Sequence, residues 1–480
     1  MPMNLRFAWF FILILVFGFA RGQVSTRVIN DLRYDPAIRG ASAGLVITDV
    51  ENGQVLAEWN PDLLLSPASV AKLFSSGIAL QLLKPDFRFE TLLGYSGRIE
   101  QSTGRLQGNL VVRGGGDPTT GSEYFNREIP VDKLFDDISE ALMAAGIHSI
   151  DGDILIDISG FQRWTIPDRW MWEDVGNYYG AGPSAVNLYD NIAKLYFNTS
   201  AQPGNLAELV SVKPSIEGVE WLNMLYSSEV NRDLAYVYGS PWDTRRVVRG
   251  TIPVRRTNFV VNASMPEPPL VFGDILKKKL TVAGIQVAGK VVITESLSEA
   301  EIIRSFYSPL LSRVCSVLNY ESVNLIAESL VMQLSYRQNG HGRHDEGMKI
   351  ISGFLKENIT TDPFFLEDGS GLSRATAVSA RQISDFLIFM HKSESGDVFK
   401  STLPVAGAAT LRSFSTDTFP GVTLRCKSGS MTRIRAYAGY LKCRSGREVA
   451  FAVMVNNFPG TSQEIFRTLE GFLGKVRNEL

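Results

Sequence analysis

Between Ser42 and Leu82 the rhythm of apolar residues changes once, and that change constrains the fold more than any other feature of the chain. Ser42 to Val50 and Gln54 to Trp59 read as strands, with Asn52-Gly53 as a tight-turn pair between them. After Pro67 the spacing becomes helical: Val70, Leu73, Phe74, Gly77, Ile78 and Leu82 fall at i, i+3, i+4, i+7, i+8 and i+12. The far end of the chain carries matching pieces. Long helical patterns beyond about 300 give way to strands at Ala436–Leu441 and Val449–Asn456, then to a closing helix from about Ser462 to Val476. The stretch between has another character. Strand-like Leu110–Arg113 and Ile154–Asp157 flank an amphipathic helix striped by Leu134, Phe135, Ile138 and Leu142. Aromatic residues crowd from Trp164 to Tyr189, and Pro266-Glu267-Pro268-Pro269 reads as a connector. A chain of 480 residues is about three domains' worth at roughly 150 residues each. The expected fold is one α/β domain interrupted by a long insertion, with no repeat of fixed period.

The N-terminus carries an address. Arg6 precedes an apolar run from Phe7 to Ala20, and Ala20-Arg21-Gly22 offers small residues at the two positions a signal peptidase reads. The run is shorter than the ~20 residues a membrane span requires. A secretory signal over 1–22 is expected, with an uncleaved anchor as the alternative. No Cys follows closely, which argues against a lipoprotein, and no later segment reads as a transmembrane anchor. The mature protein is expected outside the cytoplasm. A net charge of −2 provides no basic field for nucleic acid.

Three cysteines are too few for a disulfide framework. Burial as small apolar residues is their default, and Cys426 with Cys443 is the pair better placed to bridge in an oxidising compartment. Four histidines occur, none in a Gly-x-Ser-x-Gly elbow or a His-Glu-x-x-His helix. His341 and His344, followed by Asp345 and Glu346, could hold a metal. Their position after Gln338-Asn339-Gly340 favours a solvated loop. Gly114-Gly115-Gly116-Asp117 lacks the ending of a phosphate loop and reads as a turn.

Three short motifs carry the chemistry. Ser69-Val70-Ala71-Lys72 places a hydroxyl and an amine three residues apart at the start of the helix after Pro67, on one helical face. A desolvated lysine there can lose its proton and act as a base; an ordinary surface lysine is the alternative. Ser322-Val323-Asn324 offers a hydroxyl to relay a proton and an amide to hold a substrate. Lys427-Ser428-Gly429 follows strand-like Val422–Cys426, where a cation and a hydroxyl could clamp a carboxylate. Gly429 would let a substrate backbone approach the strand.

Ser-x-x-Lys, Ser-x-Asn and Lys-Ser/Thr-Gly, in that order, are the signature of penicillin-binding proteins and class A β-lactamases. The chain resembles the class C low-molecular-mass penicillin-binding proteins, D-alanyl-D-alanine carboxypeptidase/endopeptidases of the penicillin-binding protein 4 type. Pro67–Phe74, Gly114–Pro118, Trp170–Asp174 with Tyr178-Tyr179, and Asp368–Arg374 carry that likeness. The gap of about 250 residues between Ser69 and Ser322 fits the same branch. Val323 stands where Asp is more usual, and Ser428 where Thr is.

The resemblance implies an α/β (α+β) fold: a transpeptidase-like, β-lactamase-like domain with an antiparallel sheet flanked by helices. That domain would comprise 23–88 and 300–480. The insertion at 89–299 would form two small domains, one nested in the other. The resemblance also implies Ser69 as nucleophile, Lys72 as base, and Ser322, Asn324 and Lys427 completing the catalytic set. Backbone N–H groups of Ser69 and Ser430 would form an oxyanion hole. Ser428, Gly429, Asp174, Tyr179, Arg374 and Met431 would bind substrate. Peptidoglycan stem peptides and β-lactams are the implied partners, with no metal and no cofactor; oligomeric state is left open. A β-lactamase or esterase on the same scaffold, and a non-catalytic wall sensor, are the competing readings.

Overall fold

A computed structural model describes residues 23–163, 165–240, 243–296, 299–359 and 363–480. The expected signal segment and Trp164 lie outside the described residues. The described residues divide into two compact units, one within 1–71, 355–366 and 375–480, the other within 72–354 and 367–374.

The first unit is built on a five-stranded antiparallel sheet in the spatial order Leu424–Met431, Ile434–Lys442, Glu448–Asn456, Ser42–Asp49, Val55–Trp59. The N-terminal hairpin therefore pairs with the last strand of the chain, Leu45 opposite Val453 and Ile47 opposite Phe451. All but the first residue of Ser42–Asp49 are buried, so the strand reads as an apolar run rather than an alternation. Both faces of the sheet are covered. On one, Leu469, Leu473 and Val476 of the closing helix Ser462–Glu479 join Ile47, Phe451 and Val453 in a shared core. On the other, helix Ala380–Lys392 is tied down by Thr48 Oγ1 to Ser384 Oγ (2.8 Å) and by the Tyr440 hydroxyl donating to the Leu387 carbonyl (2.7 Å). Both helices begin with capping boxes, Ser379 with Gln382 and Thr461 with Glu464, which satisfy otherwise orphaned N–H groups.

Among the described residues, the second unit contains three sheets. In the largest, Glu90–Glu100 pairs antiparallel with Arg105–Arg113, which runs parallel to Ile154–Asp157, itself parallel to Val291–Thr294. Parallel neighbours require a crossover, and helix Val131–Ala144 supplies the first. Phe135, Ile138 and Leu142 of that helix pack with Phe272, Leu276 and Leu280 of helix Pro268–Val282. Pro266–Pro269, expected as a connector, thus opens a helix, because proline at the first helical position forfeits no hydrogen bond. Glu301–Tyr307 returns to pair with Glu90–Glu100. Two three-stranded sheets, Ile192–Asn198 with its neighbours and Arg245–Pro253 with its own, share a core of Leu195, Phe197, Leu225, Val237 and Val248. The same unit holds helices Lys72–Leu82, Leu311–Glu321 and Asn324–Asn339. The last is buried from Leu325 to Ser335, so even its polar side chains must find partners inside.

All three cysteines are buried free thiols. Cys426 lies opposite Gly439 on the adjacent strand, four residues from Cys443, which is why that pair does not bridge. Among the described residues no helix is long and apolar enough to cross a membrane, and no acidic, histidine or cysteine cluster could hold a metal.

Candidate active site

Ser69 lies in a single 3-10 turn, Ala68–Ala71, not yet in the helix; the α-helix begins at Lys72. The turn is entered through Ala68 at φ 47°, a left-handed conformation that costs a non-glycine residue roughly 1–2 kcal/mol. Such strain persists only where packing enforces it. The strand Leu424–Met431 is that packing. A Cβ on Gly429 would lie 2.3 Å from the Pro67 carbonyl oxygen and 3.2 Å from the Val70 nitrogen. Gly429 therefore makes room for the turn that carries Ser69. Lys427, on the same strand, is fully buried, and its Nζ donates to the Ser428 carbonyl at 2.8 Å. Ser428 is largely buried, Met431 half-buried and Ser430 exposed.

Lys72 belongs to the second unit and is 0% exposed. Its Nζ donates to Asn324 Oδ1 at 2.6 Å and to the Ser370 carbonyl at 2.8 Å. Burial pulls its pKa down to about 7, against the opposing charges of Asp368 and Glu328. An amine with that pKa is substantially neutral at physiological pH. The surface-lysine alternative is excluded.

Asn324 opens helix Asn324–Asn339, and its amide nitrogen donates to the Tyr179 carbonyl at 2.7 Å. One side chain thus holds both the amine and the aromatic segment. Ser322 caps the preceding helix at φ 61°, ψ 36°, a second left-handed non-glycine residue. That kink separates helix Leu311–Glu321 from Asn324–Asn339, and Ser322, Val323 and Asn324 are all half-buried at the break.

Asp174, Tyr179 and Arg374 form a group within the second unit. The Tyr179 hydroxyl donates to Asp174, whose carboxyl is raised by burial and by Glu173, against the Tyr179 bond and the Arg374 charge. Burial and the Asp174 charge hold the Tyr179 phenol well above its usual range. Arg374 is exposed, its Nε 3.0 Å from Met171 Sδ.

Three charged residues here were not singled out from the sequence for the work they do. Asp368, on the loop that carries part of the family likeness, is fully buried and organises that loop. It accepts from the Trp170 indole (2.8 Å), the Gly371 nitrogen (3.1 Å) and the Ser373 nitrogen (2.9 Å). Glu328, also 0% exposed, accepts from the nitrogens of Gly369 and Ser370 and meets His344 Nε2 at 3.0 Å. His344 is therefore not part of a solvated loop; it starts helix His344–Asn358 and its ring faces the Glu328 carboxylate. A signal for Glu328 existed: it is a lone carboxylate amid Leu325, Ile326, Ala327, Leu330 and Val331, untenable inside a protein without a partner.

A hydroxyl followed three residues later by a buried amine is the chemistry of a serine acyl-transfer enzyme. The model of the D-Ala-D-Ala carboxypeptidase 3 (S13) family matches residues 26–474, and the chain belongs to that family. It is an enzyme of the D-alanyl-D-alanine carboxypeptidase class. D-alanyl-D-alanine carboxypeptidase DacB of Haemophilus influenzae is 25% identical over 429 residues, covering 87% of this chain and 86% of that protein. A D-alanyl-D-alanine carboxypeptidase of Actinomadura is 27% identical over 459 residues, covering 90% and 81% respectively. Among solved structures, penicillin binding protein 4 from Haemophilus influenzae superposes with a TM-score of 0.81 at 23% identity, over 95% of this chain and 99% of that one. This places the chain in the penicillin-binding-protein fold.

Proposed function

We propose that this enzyme removes the terminal D-alanine from peptidoglycan stem peptides, and cuts D-alanyl cross-links, through an acyl-enzyme on Ser69. The observation that carries the reading is Lys72: an amine with no solvent exposure, hydrogen bonds of 2.6 and 2.8 Å and a pKa near 7, three residues along the chain from Ser69.

Ser69 Oγ attacks the carbonyl between the two D-alanines while neutral Lys72 takes its proton. Backbone N–H groups of Ser69 and Ser430 receive the developing oxyanion, where a single donor is typically worth ~10²–10³ in rate. Collapse of the tetrahedral intermediate breaks the peptide bond, and the leaving amine takes a proton through Ser322. Water then hydrolyses the ester and regenerates Ser69. Lys427 and Ser428 hold the terminal carboxylate, with Asn324 fixing the amine and orienting the peptide. Asp174, Tyr179, Arg374 and Met431 receive the zwitterionic end of a diaminopimelyl-type side chain, where carboxylate and guanidinium match its two charges. A β-lactam acylates the same serine and is released slowly. The substrate is extracytoplasmic, which agrees with the export signal read in the sequence.

Ser69→Ala is expected to abolish both fluorescent-penicillin labelling and release of D-alanine from a pentapeptide. Labelling that survives would move the nucleophile elsewhere. Mass analysis of muropeptides before and after incubation separates carboxypeptidase from endopeptidase cleavage, and a protein that binds penicillin without turnover is a sensor.

A further inference from the structure

Helix Asn324–Asn339 presents two side chains four residues apart, hence on one face, to the surroundings of Lys72. Asn324 takes a hydrogen bond from the amine itself; Glu328 takes the backbone nitrogens of Gly369 (3.0 Å) and Ser370 (2.8 Å). Ser370 in turn supplies the carbonyl that accepts from Lys72 Nζ. The loop is thus gripped from behind by one carboxylate while its front holds the amine. His344, 13% exposed at its side chain, closes the arrangement from the next helix at 3.0 Å.

We propose that Glu328 and His344 form a positioning pair for the Lys72 amine: they clamp the Gly369–Ser370 segment that holds Nζ, and their combined charge governs how readily that amine takes up a proton. The inference rests on Lys72 serving as the base.

The physical reason for a pair is specific. A lone buried Glu328 would have two outcomes, both harmful. Ionised, it would favour the charged form of Lys72; protonated, it would weaken its hold on the two amides. An imidazolium partner would let the carboxylate stay ionised while opposing part of its field at Nζ. Burial alone would raise the Glu328 carboxyl, yet His344 and the bonds from Ser370 and Gly369 outweigh it and hold it below its usual range. Burial alone would lower His344, yet Glu328, with Asp368 and Asp345 adding, holds it above. Asp368 also lies near the amine; burial and Glu328 push its carboxyl upward and Lys72 opposes that. Neither Glu328 nor His344 takes part in bond making, so both are positioning residues.

The test is the pH profile of acylation by a fluorescent penicillin, measured on the full chain from about pH 5 to 9 for the unaltered enzyme, His344→Gln and Glu328→Gln. Glutamine at 344 keeps a donor to Glu328 and removes the charge. The exposed carboxylate field then moves the acidic limb upward by about 0.5–1 pH unit. Glu328→Gln removes the field and moves the limb downward by a similar amount. Thermal melts identify a variant that fails to fold; if Glu328→Gln does so, the sign for His344→Gln decides alone. Limbs that stay in place while rate or melting temperature falls would reduce the pair to a structural role and overturn the proposal, as would a downward shift in His344→Gln. An unaltered enzyme that is not acylated at all would refute the serine mechanism itself, a different result.

Discussion

Substituting Gly429 with Ala tests how tightly the nucleophile's turn is built. The added Cβ would meet the Pro67 carbonyl oxygen at 2.3 Å, whereas comfortable carbon–oxygen contact lies near 3.5 Å. The obstacle is backbone, so no side-chain rotation relieves it; strand or turn must move by about 1 Å. Overpacking of this kind costs about 1–3 kcal/mol. A 1 Å displacement of a reacting group can cost on the order of 10²-fold in rate. Ser69 lies two residues beyond Pro67, so the displacement passes directly to it. The assay is the second-order rate of penicillin acylation alongside a thermal melt. Gly471→Ala is the control: it lies in helix Ser462–Glu479 with nothing within 4 Å of the added carbon. It is expected to gain about 1 kcal/mol of stability and leave acylation unchanged. A Gly429→Ala enzyme that acylates within about threefold of the unaltered rate would refute the reasoning, since the turn would then tolerate movement.

The remaining expectations are compact. Because Lys72 must be neutral to act and its pKa lies near 7, the acylation rate should rise with pH through that value; Lys72→Arg, which stays charged, should remove activity at every pH from 6 to 9 in a labelling gel. Asn324→Ala strips the amine of its 2.6 Å acceptor, and at about 0.5–1.5 kcal/mol for a hydrogen bond to the neutral amine should slow acylation roughly 2–10-fold in stopped-flow measurements. The three thiols are buried and burial raises them, Cys443 to about 11 and Cys315 and Cys426 further still. The native enzyme should therefore react with a thiol reagent only after unfolding, and a reducing agent should leave its melting temperature unchanged.

The strands and helices of the first unit could be read directly from the chain. Ser42–Asp49, Val55–Trp59, Ile434–Lys442, Glu448–Asn456 and Ser462–Glu479 fall within a few residues of the stretches their apolar periods mark. Local rhythm suffices there because each residue's environment is set by neighbours one, two or four positions away. It failed at Pro266–Pro269, where two prolines that suggest a break begin a helix, and at His344, where polar neighbours concealed a buried partner 16 residues earlier. The break at Ser322 was invisible for another reason: nothing in a serine announces a left-handed backbone, which only the packing around it enforces.

By itself the sequence determined the order of the three motifs, the hydrophobic rhythm on which each is carried, and through them the family. The tertiary structure alone decided what those residues are chemically. Lys72 becomes a base because burial removes its water, and its acceptors and the carboxylates that oppose this shift come from positions some 250 to 300 residues further along. Gly429 is needed because the Pro67 carbonyl occupies the space where its side chain would be. Periodicity is a property of near neighbours and survives in a linear text; desolvation and charge pairing are properties of distant segments brought together, and exist only once the chain has folded.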